Sequence, residues 1–158
     1  MQRTLILAKP DAVQRGLIGR ILTRFEDKGM KLVGMKFMQM SDELAAQHYS
    51  AHKDKPFYKG LVSFMTSSPI VAFAFEGIGA IEICRKMMGA TFGSKAEAGT
   101  IRGDFGVSNS FNLIHGSDSP EAAAKELKLF FAAEELIEYE HAAQLWIYDP
   151  VEELGRDS

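Results

Sequence analysis

The chain has 158 residues, enough for one domain with a real hydrophobic core. Hydrophobic residues make up 46% and charged residues 25%, an ordinary globular balance. The formal net charge of −3 excludes a general pull toward nucleic acid, so an anionic ligand must be met by locally placed basic groups. Cys84 is the only cysteine, which rules out an internal disulfide.

Residues 4–9 form a short apolar run stopped by Pro10 and read as a buried strand. The run meets Lys9-Pro10-Asp11 at once, which is not the architecture of a signal peptide, so a cytoplasmic location is expected. Asp11 offers an N-cap, with Gln14 three residues on. Ile18, Ile21, Leu22 and Phe25 then recur at helical spacing, and Gly29 stands where a C-cap belongs. Residues 31–40 place Val33, Met35 and Phe37 in alternation, predicting a second strand.

Ser41 caps a predicted helix that runs to about Tyr49. Lys53-Asp54-Lys55-Pro56 is a polar break, and residues 57–66 predict another short helix. Residues 70–76 predict a third strand, too short an apolar stretch to cross a membrane. Gly77 ends it, and Ile78, Ile81, Cys84 and Met88 share one helical stripe. Residues 91–107 carry Gly93, Gly99, Gly103 and Gly106 without a clear period and read as a long functional loop.

Residues 111–115 predict a fourth strand. Ser119-Pro120 then pairs an N-cap with a proline at the first helical position. Ala122, Ala123, Leu127, Phe130 and Phe131 supply that helix's buried side. The order is a βαββαβ core with additions, the split-βαβ arrangement. One mostly antiparallel sheet with helices on one face is expected. Residues 1–149 form the expected single domain, and residues 150–158 a C-terminal tail that is loose or docks on a neighbour.

Four histidines are candidates for chemistry. His48 and His52 are four apart on a predicted helix, either a metal-binding pair or, as the favoured reading, part of a solvated face. His141 lies in a polar turn region. His115 closes an apolar strand and is followed by Gly116-Ser117-Asp118. Glyless crowding is avoided there, because Gly116 lets another group approach closely. Glu126 falls eleven residues on, near the apolar positions of the next helix, where an inward carboxylate fixes an imidazole tautomer. From the residues alone, His115 is either a nucleophile or a buried structural histidine.

Lys9 at a strand end, Arg85 on a helix and Arg102 in the Gly-rich loop are either surface charges or a converging set for a polyanion. No G-x-x-x-x-G-K-[ST] loop is present, and Gly77-Ile78-Gly79-Ala80-Ile81-Glu82 lacks the third glycine of a dinucleotide loop. A phosphate site would therefore be built from side chains.

Asn112-Leu113-Ile114-His115-Gly116-Ser117-Asp118 resembles the active-site signature of nucleoside diphosphate kinases. Lys9-Pro10-Asp11 with Val13-Gln14-Arg15-Gly16-Leu17-Ile18-Gly19 resembles the family's N-terminal motif. Gly99-Thr100-Ile101-Arg102-Gly103-Asp104-Phe105 and Trp146-Ile147-Tyr148 match as well. The resemblance covers roughly residues 3–149. It implies a ferredoxin-like, four-stranded antiparallel sheet and a two-step exchange through a phosphohistidine at His115, on Nδ1.

By the same resemblance Lys9, Arg85, Thr91 and Arg102 hold phosphates, Phe57 stacks on the base, and Lys9 and Asn112 touch the sugar hydroxyl. Glu126 and Ser117 support the histidine, and Tyr49 lines the pocket. Mg2+ bridges phosphates, with Asp118 acting through water. The implied partners are nucleoside tri- and diphosphates and further copies of the chain, a hexamer favoured over a tetramer; neither nucleic acid nor membrane is required.

Asn109-Ser110-Phe111, Ala98 and Gly93 depart from the family's usual loop residues, and the chain runs past its usual end. No catalytic side chain is lost by these changes. An inactive binding module on the same fold, or a histidine-dependent nucleotide hydrolase, are the rival readings.

Overall fold

The computed structural model describes residues 1–151; residues 152–158, most of the expected tail, lie outside them. Strand β1 (Gln2–Ala8) runs between β3 (Ile70–Gly77) and the short β4 (Ile114–Gly116), and β2 (Lys31–Met38) pairs on the far side of β3. Every pairing is antiparallel and the order is β2-β3-β1-β4. This is the ferredoxin-like α+β sheet.

Leu5 and Leu7 point to one face of β1, Ile6 and Ala8 to the other, and all four are fully buried. The first face packs on α3 (Asp42–His48), α4 (Tyr58–Thr66) and α7 (Pro120–Phe130). The second packs on α1 (Pro10–Gln14), α2 (Ile18–Asp27), α5 (Ala80–Met88) and α6 (Ile101–Phe105). Helices thus cover both faces, not one. The near-continuous apolar character of β1 and β3 demands this, since a strand with one wet face would alternate.

Three local expectations are revised. The helix expected from Asp11 to Gly29 is two helices, broken where Gly16 takes a φ of +69°. Strand β2 carries an irregularity, with Leu32 opposite Phe75 and Gly34 already opposite Ala74. The extra residue, Val33, is buried, and the slip turns Met35 and Phe37 outward at 56% and 68% exposure. The expected loop at 91–107 contains α6, capped by Thr100, whose Oγ1 accepts from Gly103 N at 3.0 Å. Five residues are too few to display a helical period.

Other signals hold. Ser41 Oγ accepts from Leu44 N at 3.1 Å and Ser119 Oγ from Ala122 N at 3.1 Å, so both caps form. Pro120 opens α7. The expected fourth strand begins late, because Leu113 has a φ of +72° and turns the chain into β4. Helix α8 (Gln144–Ile147) leaves Trp146 exposed.

Candidate active site

Residue Leu113 is the only non-glycine with positive φ among the described residues, and Asp11, Lys9 and Arg102 brace it. Its N–H donates to Asp11 Oδ2 at 3.1 Å, and its carbonyl accepts from Lys9 N at 2.9 Å. Asp11 is therefore a loop anchor inside α1, not the N-cap expected; Lys9 holds the cap position. Arg102 is buried and donates three times to backbone: Nε to Asn112 O at 3.1 Å, Nη1 to Gly89 O at 3.1 Å and Nη2 to Ile114 O at 2.6 Å. A left-handed leucine costs on the order of 1 kcal/mol, which these bonds offset. The guanidinium still has two N–H groups for a ligand.

Lys9 Nζ donates to Asn112 Oδ1 at 2.8 Å, and Asn112 Nδ2 donates to Thr91 O at 2.9 Å. Lys9, Thr91, Arg102 and Asn112 are thereby one linked cluster. Burial, then the nearby Arg102 charge, lowers the Lys9 ammonium to about 8, against a smaller opposing pull from Asp11. Burial and Arg85 lower Arg102 to about 10. Two desolvated cations at one corner favour an anion there.

His115 lies opposite Leu7 in the sheet and so faces the side covered by α3 and α7. Its Nε2 lies 2.6 Å from Glu126 Oε2. Glu126 is buried, three residues after Ala123 and four before Phe130 on the packed side of α7. Burial pushes its carboxyl up, but the hydrogen bond and charge of His115, with His48 and Ser117 adding to them, hold it below the ordinary value. An ionised carboxylate only accepts, so Nε2 carries a proton, and in the neutral ring Nδ1 then holds the lone pair. Ser117 is buried, its Oγ accepting from Leu5 N at 3.2 Å.

The glycine after His115 has a different reason from the one expected. A Cβ at Gly116 would come within 2.5 Å of Met88 Sδ, so the close approach is by the core, from the face opposite His115.

His48 is the residue that sequence reasoning misplaced. Its side chain is 3% exposed, not on a solvated face. The ring stands 4.9 Å from the His115 ring, edge to face, and Nδ1 lies 3.8 Å from Glu126 Oε2. Ala45 and Tyr49, three back and one on, are buried too, and that spacing is the signal that was available in the sequence. His52 is exposed. Tyr49 packs edge-on against His48 at 4.5 Å, with its hydroxyl buried and unpartnered.

No contact among the described residues joins Phe57 or Asp118 to this centre, while Arg85 reaches the backbone beside His115. Arg85 is exposed and donates from Nη1 to Gly116 O at 3.0 Å. Asp118 is exposed and lines an open cleft of about 520 Å³ with Gln2, Glu82, Arg85 and Lys86. Phe57 holds the N-cap position of α4 and is 53% exposed as a residue, its ring 5.4 Å from that of His52. Its open face is available to a flat ligand.

Comparison with known proteins gives one answer. The family model described as "Nucleoside diphosphate kinase" matches residues 2–136. A nucleoside diphosphate kinase of Carboxydothermus hydrogenoformans is 56% identical over 149 residues, 94% of this chain and 100% of that protein. One from Thermosynechococcus vestitus is 55% identical over 94% of this chain and 99% of that protein. Among solved structures, a halophilic nucleoside diphosphate kinase from Halobacterium salinarum, in complex with CDP, superimposes with a TM-score of 0.92 at 51% identity. That match covers 94% of this chain and 99% of the other.

Proposed function

The chain belongs to the nucleoside diphosphate kinase family, and from that membership we propose that it exchanges γ-phosphoryl groups between nucleotides through a phosphohistidine at His115. The observation that carries this reading is the 2.6 Å contact between His115 Nε2 and Glu126. It supports a ring proton on Nε2, which would leave Nδ1 free to act as the nucleophile. In the first half-reaction Nδ1 attacks the γ-phosphorus of a nucleoside triphosphate, the bond to the β-γ bridging oxygen breaks, and the diphosphate leaves. The second half-reaction runs the same step backward with a different diphosphate, giving a ping-pong scheme.

Phosphoryl transfer asks the protein mainly for positioning and charge neutralisation. Lys9, Arg85 and Arg102, with Thr91, would meet the phosphates, and Lys9 and Asn112 the sugar hydroxyl. Phe57 would stack on the base, which suits an enzyme serving several nucleotides because every base has a π-face. Tyr49, whose buried hydroxyl is unpartnered, would line the pocket, and Ser117 would help hold Glu126.

The donor set fits Mg2+ as a companion of the substrate. Mg2+ prefers phosphate oxygens, waters and one or two carboxylates, and Asp118 is an exposed carboxylate beside Arg85. Bound there through water, it would neutralise phosphate charge.

We also take residues 1–149 as one domain with a tail at 150–158, acting in the cytoplasm; no helix among the described residues is long and apolar enough to cross a membrane. The exposed Met35 and Phe37 on the edge strand β2 support a homo-oligomer, for which a hexamer is proposed over a tetramer.

The direct test is incubation with γ-labelled ATP and Mg2+ without acceptor. The expected product is an acid-labile, alkali-stable label on the protein, absent in His115→Ala, that moves to added GDP or CDP. Absence of label, or equal labelling of the alanine variant, would overturn the reading.

A further inference from the structure

His48 has no place in the exchange just described, yet it is a buried imidazole with neither ring nitrogen hydrogen-bonded. Such a group is costly to keep, and natural cores rarely keep one without a use. One ring nitrogen of His48, one of His115 and a Glu126 oxygen all lie within 4.8 Å of one another, and the His115 nitrogen that faces the carboxylate is Nε2, 2.6 Å from Oε2. We propose that His48, His115 and Glu126 form an inhibitory site for a borderline-soft divalent cation of the Zn2+ type, and that the ion switches the reaction off by changing the tautomer of His115.

The chemistry of the donors selects the metal. Two imidazole nitrogens and one carboxylate oxygen suit Zn2+ and are poor ligands for Mg2+, which seeks oxygen and keeps its waters. Three protein ligands with a fourth position left to water is a common Zn2+ arrangement. Bonds of about 2.0–2.2 Å place neighbouring ligands roughly 3–3.5 Å apart, so the His115–Glu126 pair opens slightly and His48 closes by about 1 Å. The His115 side chain is 27% exposed, which gives the ion an entry path and the fourth ligand a source. Neither His48 ring nitrogen is hydrogen-bonded, so the lone pair of the neutral ring is available to an ion.

The switch follows from proton balance. In the metal-free dyad the His115 proton is on Nε2 and is donated to Glu126. An ion bonded to Nε2 needs that lone pair, so the proton moves to Nδ1 and the ring stays neutral. Nδ1 then carries N–H where the attacking lone pair was. Once Nδ1 is phosphorylated this transfer is closed, and the metal can bind only by expelling the Nε2 proton to solvent. The phosphorylated enzyme is therefore the weaker binder. The inhibitory consequence rests on the phosphohistidine reading; the binding site itself does not.

The full chain, free of nucleotide, is titrated with Zn2+ alone by calorimetry, and with Co2+ followed by its visible absorption. One tight equivalent is expected, weakened by at least about tenfold in His48→Phe, which keeps the ring's bulk and removes the ligand. If that variant fails to fold by circular dichroism, Glu126→Gln gives the same comparison. Metal-loaded protein, freed of excess ion and given γ-labelled ATP with Mg2+, is expected to label about tenfold more slowly, with recovery after EDTA. His48→Phe is expected to label at the same rate with and without Zn2+. Binding that is absent, or equal in wild type and variant, would sink the site; unchanged labelling of the loaded enzyme would sink the switch. If metal-free wild type never labels, the phosphohistidine reading fails instead, and the titration still decides the site.

Discussion

The Glu126 carboxylate lies 2.6 Å from Nε2 of His115, eleven residues back along the chain and one element away. That contact assigns the ring's tautomer and its orientation together. Glu126→Ala is expected to slow phosphoryl transfer by roughly 100-fold, the scale of a small misplacement of a reacting group, without abolishing the label. Single-turnover quench with γ-labelled ATP measures it. An unchanged rate would mean that the sheet alone aims the ring.

Lys9 makes the exchange sensitive to alkaline pH. Its ammonium is lowered to about 8 by burial and then by Arg102. Below that pH it is charged and meets phosphate; above it the charge is lost. The kcat/KM for nucleotide is expected to fall as pH rises through about 8, while kcat falls at higher pH, because bound phosphate raises the ammonium again. Stability moves the other way. The unfolded lysine keeps its proton to 10.5, so stability rises with pH between the two values. A flat kcat/KM profile across pH 7–9 would remove Lys9 from phosphate binding.

Strands β1 and β3, both serine caps and the inward Glu126 were legible because apolar runs and capping chemistry are local signals. The histidine signature supplied the centre of the candidate site in the same way. What was not legible depends on partners distant in sequence. Val33 looks like any alternating residue until the pairing with β3 slips there. Leu113 has no turn chemistry of its own; Asp11, Lys9 and Arg102 impose its left-handed backbone. His48 reads as polar surface until α7 closes over it with Glu126 and Phe130.

Arg102 should prove a structural residue as well as a phosphate ligand. Arg102→Lys keeps the charge but cannot reproduce three directed bonds to Asn112, Gly89 and Ile114. A loss on the order of 3 kcal/mol is expected, a drop in Tm of roughly 10 °C for a domain of this size. Calorimetric melting of the nucleotide-free protein reads it directly. A Tm within a degree of wild type would leave Arg102 as a phosphate contact only.

Phe57 is an exposed aromatic residue at the start of α4. Stacking is blind to base identity, so Phe57→Ala should raise KM by about tenfold for adenine, guanine and cytosine nucleotides alike. Phe57→Tyr should leave it nearly unchanged. Steady-state exchange with ATP, GTP and CTP distinguishes this from base-edge recognition, under which one nucleotide would suffer far more than the others.

The last prediction separates assembly from chemistry. Met35 and Phe37 are turned outward on an edge strand, where an apolar pair is a liability unless another surface covers it. Every side chain assigned here to the exchange comes from one copy of the chain. Phe37→Lys should therefore weaken self-association, seen as a smaller mass by light scattering during size exclusion, while His115 still takes label from γ-labelled ATP. Reduced mass with full labelling is the expected pair. An unchanged mass would move the interface elsewhere, and a loss of labelling with the mass would mean that the site needs its neighbour to hold the Leu113 turn.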